Sequence, residues 1–277
     1  MNSNEKMGMA FRHLKDSDRL ETHGLNGPIE AGQEQIAKDI AENILSLARS
    51  KNFKSINILY SDQRRTQETT ELVRKELEKH IEVSLRPEEG LREIDQGIPN
   101  LPAGYKDGDF LPTLPAAWDA FGEEAFSKRN FSYRFGSAEG SSVHTELVGA
   151  FDKHGDSLAD YIVRQYAFLE KLFSGELQDG NAMSVLCTHS TTLFILQELD
   201  EIAKDIRSGV LGNIAPEDLP IVCFEYYQKK IEPVLPTGLP FGHVATFDIT
   251  SIQNSPLVQT IRDARKYFLE LKNQQSV

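Results

Sequence analysis

The stretch that decides the fold is Met7-Gly8-Met9-Ala10-Phe11-Arg12-His13, an apolar run that stops on a guanidinium and an imidazole. It reads as a first strand opening into a polar loop. The same grammar recurs twice. Ile56-Asn57-Ile58-Leu59-Tyr60 is a β-rich run that ends on Ser61 and leads into a charged helix carrying Arg64 and Arg65. Ser184-Val185-Leu186-Cys187-Thr188 is a buried-strand pattern ending on His189. A short strand at 83–85 and a last one at 243–249 complete the set. Between these runs the apolar residues recur at helical spacing. Ile36, Ile40, Ile44 and Leu47 predict a helix over 28–49, and Leu72, Val73 and Leu77 one over 62–80. Ser157 with Asp160 three positions on resembles a capping box opening another helix, and further helices are expected at 190–204 and 256–273. Strands alternating with helices predict an α/β fold: a three-layer sandwich with a mostly parallel central sheet and helices on both faces. Ligands of such sheets bind outside the carboxyl ends of the strands. Two histidines and at least two arginines are therefore expected to meet at one sheet edge.

Two segments break the rhythm. Residues 98–154 and 209–242 are rich in proline, glycine and aromatics without a sustained period. The chain of 277 residues is read as a single domain, with a cap or specificity insertion at about 98–154 and a second irregular segment at about 209–242. Tyr105, Trp118, Tyr133 and Arg134 lie in the first of these, where loops on a rigid scaffold commonly set specificity.

Composition narrows the partners. Thirty basic against 42 acidic residues leave a formal charge of −12, a field that repels polyanions and argues against a nucleic-acid surface. A small anion in a local basic pocket is compatible with that field. The two cysteines, Cys187 and Cys223, exclude a disulfide scaffold. No apolar run approaches the roughly 18 residues of a membrane span, and the polar N-terminus lacks a signal-peptide core. No membrane association and a cytoplasmic address are expected.

Taken together, the motifs resemble the histidine phosphatase superfamily, the phosphoglycerate mutase-like group, in its first branch. Phe11-Arg12-His13 looks like the family's strand-end Arg-His-Gly signature, and the segment from Gly27 to Gln35 is similar to its proline-led helix start. The run from Ser61 to Glu71 resembles the family's second motif, and aligning it on Thr69 and Glu71 places the family arginine at Arg65 rather than Arg64. Leu91-Arg92-Glu93-Ile94-Asp95-Gln96-Gly97 looks like the segment bearing the family's acid, at Glu93. Gly155-Asp156-Ser157 with Asp160 and Val185-Leu186-Cys187-Thr188-His189 match the later motifs, in the expected order.

The resemblance implies a metal-independent phosphatase acting on a phosphate monoester, with no cofactor. His13 would be the nucleophile and a transient phosphohistidine. Arg12 and Arg65 would clamp the phosphoryl oxygens, His189 would stabilise the transition state, and Glu93 would serve as general acid and then base. The departures are local. Leu14 stands where the family has glycine, which is expected to narrow or re-aim the pocket. Arg19 falls near a polar phosphate-contacting position and reads equally as a third phosphate cation or a surface arginine. Ser190-Thr191 replaces the common Gly-Gly after the second histidine, so Ser190 reads as a substrate contact or a helix cap. Ser190 in place of aspartate also disfavours the acid phosphatase and phytase branch. A mutase shares this chemistry but lacks its longer match after the first signature here. Two other classes stay open: a phosphate-ligand-binding regulatory member with weak or no catalysis, and a thiol enzyme using Cys187 or Cys223. His23, His80, His144, His154 and His243 show no metal-ligand spacing.

Overall fold

In a computed structural model, which describes residues 6–16, 27–93, 158–177, 182–231, 233 and 239–274, the five strand segments join in one sheet. They are β1 (Met7–Arg12), β2 (Ser55–Tyr60), β3 (Glu82–Pro87), β4 (Ala182–Thr188) and β5 (Val244–Asp248), in the spatial order β3-β2-β4-β1-β5. Every pairing is parallel except that of β1 with β5. The helices are α1 (Glu34–Ser50), α2 (Arg64–Leu77), α3 (Leu158–Ser174), α4 (Ser190–Ser208), α5 (Leu219–Tyr226), α6 (Ile249–Gln253) and α7 (Leu257–Gln274). Packing groups the chain into two compact units. The first draws on residues up to 92, 168–213 and 239–258; the second draws on 93–167, 214–238 and 259–277.

The first unit contains the whole sheet. Side chains alternate across a strand, so β1 sends Met9 and Phe11 to one face, where Ile56 and Ile58 of β2 and Met183, Val185 and Cys187 of β4 join them. Ala37, Ile40, Ala41, Ile44 and Ala48 of α1, with Val73 and Leu77 of α2, close that layer as one buried cluster. The opposite face is covered by α4, which lies against β1 and β5. There Gly8 is opposite Phe247, and a Cβ at Gly8 would come 2.4 Å from the ring of Phe247. Glycine is thus needed at residue 8 because the end of an aromatic ring lies against the backbone. Helices on both faces of a mostly parallel sheet make the three layers expected from the alternation. In the second unit Lys272 pairs with Asp160, and Tyr267 meets Phe268 edge to face at 5.1 Å.

Three boundaries differ from the sequence reading. The first helix starts at Glu34, not at residue 28. Residues 28–33 instead serve the loop after β1: the Ile29 N–H donates to Glu68 Oε2 at 2.8 Å, the Glu30 N–H donates to the Lys15 carbonyl at 2.8 Å, and Ile29 bridges Asp16. Backbone extended in a bridge at Ile29 and left-handed at Gly32, with φ +82°, cannot continue as a helix. The 190–204 helix runs on to Ser208, where Gly209 closes it in a left-handed conformation. The stretch 209–242 is not irregular throughout, because it holds α5. Pro220 sits in the first turn of α5, where a missing N–H costs nothing, so proline there does not argue against a helix. The expected insertion at 98–154 and the Ser157 cap lie outside the described residues.

Glu198 of α4 is fully buried, and neither carboxyl oxygen has a hydrogen-bond partner among the described residues. Burial pushes its carboxyl well above the usual range. The folded chain therefore holds a proton there that the unfolded chain releases once pH exceeds the ordinary glutamate value. Stability should fall as pH rises through that window, by up to about 1.4 kcal/mol per pH unit. Thermal melts at about pH 5 and about pH 8 should show a steeper loss for the wild type than for Glu198→Gln, which has no proton to lose.

Candidate active site

The sheet order creates the crevice. β4 lies between β2 and β1. The chain leaves β1 through α1 on one face and leaves β4 through α4 on the other, so the two connections diverge beyond the carboxyl ends of these neighbours. Register then decides what fills the gap. Arg12 pairs with Thr188, and the His13 N–H donates to the Thr188 carbonyl at 3.0 Å. The residues that follow these strand ends are His13 and His189. Their rings stand 5.0 Å apart between centroids, tilted by 58°, and both are buried.

Each ring has a partner that selects its tautomer. His13 Nδ1 lies 2.6 Å from the Leu14 carbonyl oxygen, which can only accept. Nδ1 therefore carries the proton, and the neutral ring keeps its lone pair on Nε2. His189 is arranged the other way. Its Nδ1 lies 3.2 Å from Arg65 Nη2, which can only donate. Nε2 of His189 then bears the hydrogen, donated at 3.3 Å to Ser61 Oγ. One imidazole is thus a base at Nε2 and its neighbour is a donor at Nε2, the complementary pair that nucleophilic attack and anion stabilisation require.

Arg65 is wholly buried in the first turn of α2, a position where the helix dipole disfavours a cation. No acid accompanies it in that turn. Its charge is met across the site by Asp16, whose Oδ2 lies 3.8 Å from Nη1. Asp16 is itself buried, and the sequence reading did not single it out. The loop holding it is fixed from both sides. Gln33 accepts from the Lys15 N–H at 2.8 Å and donates to the Lys15 carbonyl at 2.7 Å, while Thr69 Oγ1 accepts from the Leu14 N–H at 3.0 Å. Gln33, rather than Gln35 of the same motif, makes this clamp; Gln35 bonds Asp39 on its own helix. Arg12 is half-buried, and its guanidinium lies 4.0 Å from the ring centroid of Phe241.

Leu14 does not line the crevice. It is fully buried in the cluster under α1, with a backbone outside the left-handed region, so no glycine is required at that position. Ser190 is the first residue of α4 and half-buried, and Arg19 lies outside the described residues. Two contacts fix the chain ahead of Glu93. Thr188 Oγ1 donates to the Leu91 carbonyl at 3.0 Å, and Arg92 makes a two-point ion pair with Asp62, including Nε to Oδ1 at 2.9 Å. Glu93 is the first residue of the second unit, where its carbonyl accepts from Arg164 at 3.3 Å. Phe241, Leu239 and Gly242 were hidden from sequence reasoning inside a proline-rich stretch; the only local signal was the glycine next to the last strand.

No protein-family profile and no curated protein sequence matches the chain. Solved structures resemble it distantly. One, described as mycobacterial hydrolase 2, has a TM-score of 0.45 and 13% identity, covering 87% of this chain and 81% of that one. The chain is similar also to the native mycobacterial glucosyl-3-phosphoglycerate phosphatase, with a TM-score of 0.43 and 14% identity over 89% and 94% of the two chains. For the phosphoglycerate mutase of Bacillus anthracis the values are 0.41 and 18%, over 72% and 83%.

Cys187 is the nearest thiol in sequence to His189, yet burial pushes it up to about 12, and its Sγ rests 3.6 Å from the Thr66 carbonyl. Cys223 is buried as well. Iodoacetamide at neutral pH should leave both unlabelled in the folded protein and modify both after denaturation, as read by intact mass. Rapid labelling of native Cys187 would return the thiol class to consideration. A second expectation concerns Gly242, whose φ is +74° and whose Cβ would lie 2.4 Å from Ile36 Cγ2. Gly242→Ala should cost about 1–3 kcal/mol in a denaturant titration.

Proposed function

We propose that the chain is a metal-independent phosphatase that hydrolyses a phosphate monoester through a phosphohistidine on His13. The observation that carries this reading is the opposed tautomers of the two strand-end histidines. The Leu14 carbonyl holds the proton of His13 on Nδ1, which leaves Nε2 to attack. Arg65 holds His189 so that its Nε2 presents a hydrogen.

In the proposed scheme His13 Nε2 attacks phosphorus as the ester oxygen departs, taking a proton from Glu93. Arg12 and Arg65 bind the phosphoryl oxygens, and His189 donates to the charge that builds on them. Water then attacks the phosphohistidine and gives its proton to Glu93. Free phosphate leaves, and both His13 and Glu93 return to their starting states. Arg19 and Ser190 are proposed as further substrate contacts. The cations and donors supply the electrostatic stabilisation, so the scheme calls for no metal or cofactor.

The proposed substrate is a small phosphate ester. A net charge of −12 favours a small anion over a polynucleotide once a pocket of arginines is set into an acidic surface. Among the described residues no helix is long and apolar enough to cross a membrane. Two buried free thiols suit a reducing compartment, and we place the protein in the cytoplasm on that ground.

Hydrolysis of an aryl phosphate should persist in EDTA and fall by at least about a thousandfold in His13→Ala. Brief exposure to labelled substrate should leave an acid-labile, base-stable phosphoryl group on wild type and none on His13→Ala. A fully active His13→Ala enzyme would overturn the reading.

A further inference from the structure

One short turn holds Arg12 from three sides. The Arg12 N–H donates to the His243 carbonyl at 2.9 Å, Nη1 donates to the Leu239 carbonyl, and the guanidinium carbon lies over the Phe241 ring, 4.0 Å from its centroid. The same ring stands 5.5 Å from the His13 imidazole, tilted by 60°. The Gly242 N–H donates to the His13 carbonyl at 3.4 Å, so the turn grips both residues of the Arg-His pair. All of these residues belong to the unit that contains the sheet.

A guanidinium binds phosphoryl oxygens through the N–H groups in its plane and never through its face. An aromatic ring on that face takes up no donor, yet it stops the group from tilting. The Leu239 carbonyl, bound at one nitrogen, fixes the remaining rotation within the plane. A flexible side chain is thereby ordered when the protein folds rather than when the transition state forms. We infer that Phe241 is a positioning residue: with the Leu239 carbonyl, it holds the Arg12 guanidinium in the plane that meets the transferred phosphoryl group. The inference rests on the phosphatase reading, and it gives the segment 239–243 a part in the reaction that the motifs do not record.

The test is a cycle of wild type, Phe241→Leu, Arg12→Lys and the double variant, with Phe241→Tyr as the conservative control. Aryl phosphate kinetics and inhibition by inorganic phosphate are measured in each. Phe241→Leu should lower kcat/KM about tenfold, chiefly in kcat, while Phe241→Tyr stays within about threefold of wild type. Once Arg12→Lys has removed the planar group, Phe241→Leu should add less than about twofold. A full, additive loss on the lysine background would overturn the positioning role, because bulk packing predicts that result. If Phe241→Leu folds poorly by circular dichroism, Phe241→Met replaces it in the same cycle under the same criteria. If wild type is active and His13-dependent but Phe241→Leu matches it, the positioning role alone falls. If wild type shows no chelator-resistant activity that depends on His13, the phosphatase reading falls, and the inference with it.

Discussion

The hydrogen bond from the His13 N–H to the Thr188 carbonyl is the last rung of the β1–β4 ladder, and the arrangement of the site depends on it. It sets the register in which two strands far apart in sequence run side by side. Side chains on a strand alternate, so a slip of one residue would turn His13 or His189 to the other face. The core enforces the same register. Met9 and Phe11 of β1, with Val185 and Cys187 of β4, are buried together under α1 and α2. A slip would turn them out of that cluster, toward the face covered by α4. Core packing and site assembly thus impose one constraint, and the geometry of the histidine pair is set by burial far larger than any bond between the rings.

Around that pair the molecule breaks local rules in a consistent way. Two arginines occupy the first turn of α2, where the helix dipole calls for acids. Arg65 is fully buried, which is expensive for a charge unless it is met by others. It is met by Asp16 and by the imidazole of His189. Concentrated cost of this kind is what a preorganised anion site requires. Glu198 is a separate expense, a buried carboxyl on the helix that follows His189, and it shapes stability rather than the site.

Much of the architecture was legible because it follows from short-range pattern. Continuous apolar runs gave strands and helical spacing gave helices, most of them located to within a few residues. The misreadings have physical causes. Residues 28–33 look like a helix start, but Ile29 is drawn into a bridge with Asp16 across the chain and Gly32 turns left-handed. Leu14 stands where the family that the motifs resemble has glycine, which suggested an altered pocket. Its side chain instead turns into the core, a choice that depends on the space beneath α1. Segment 209–242 hid a helix because two of its prolines, Pro216 and Pro220, fall in first turns, where they do no harm.

By itself the sequence determined which chemistry-bearing residues end the strands: Arg12 and His13 after one apolar run, Ser61 with Arg65 after another, His189 after a third. Those assignments need only alternation and the change from apolar to polar. The tertiary structure alone decided three further things. β4 inserts between β1 and β2, so that the two histidines become neighbours. The Leu14 carbonyl and Arg65 select opposite tautomers. Leu239 and Phe241 settle on Arg12, and Asp16 beside Arg65. Apart from that of His13 with its neighbour Leu14, these are contacts between residues remote in the chain. Strand order, register and hydrogen-bond partner are properties of the packed whole, and no local pattern of residues encodes them.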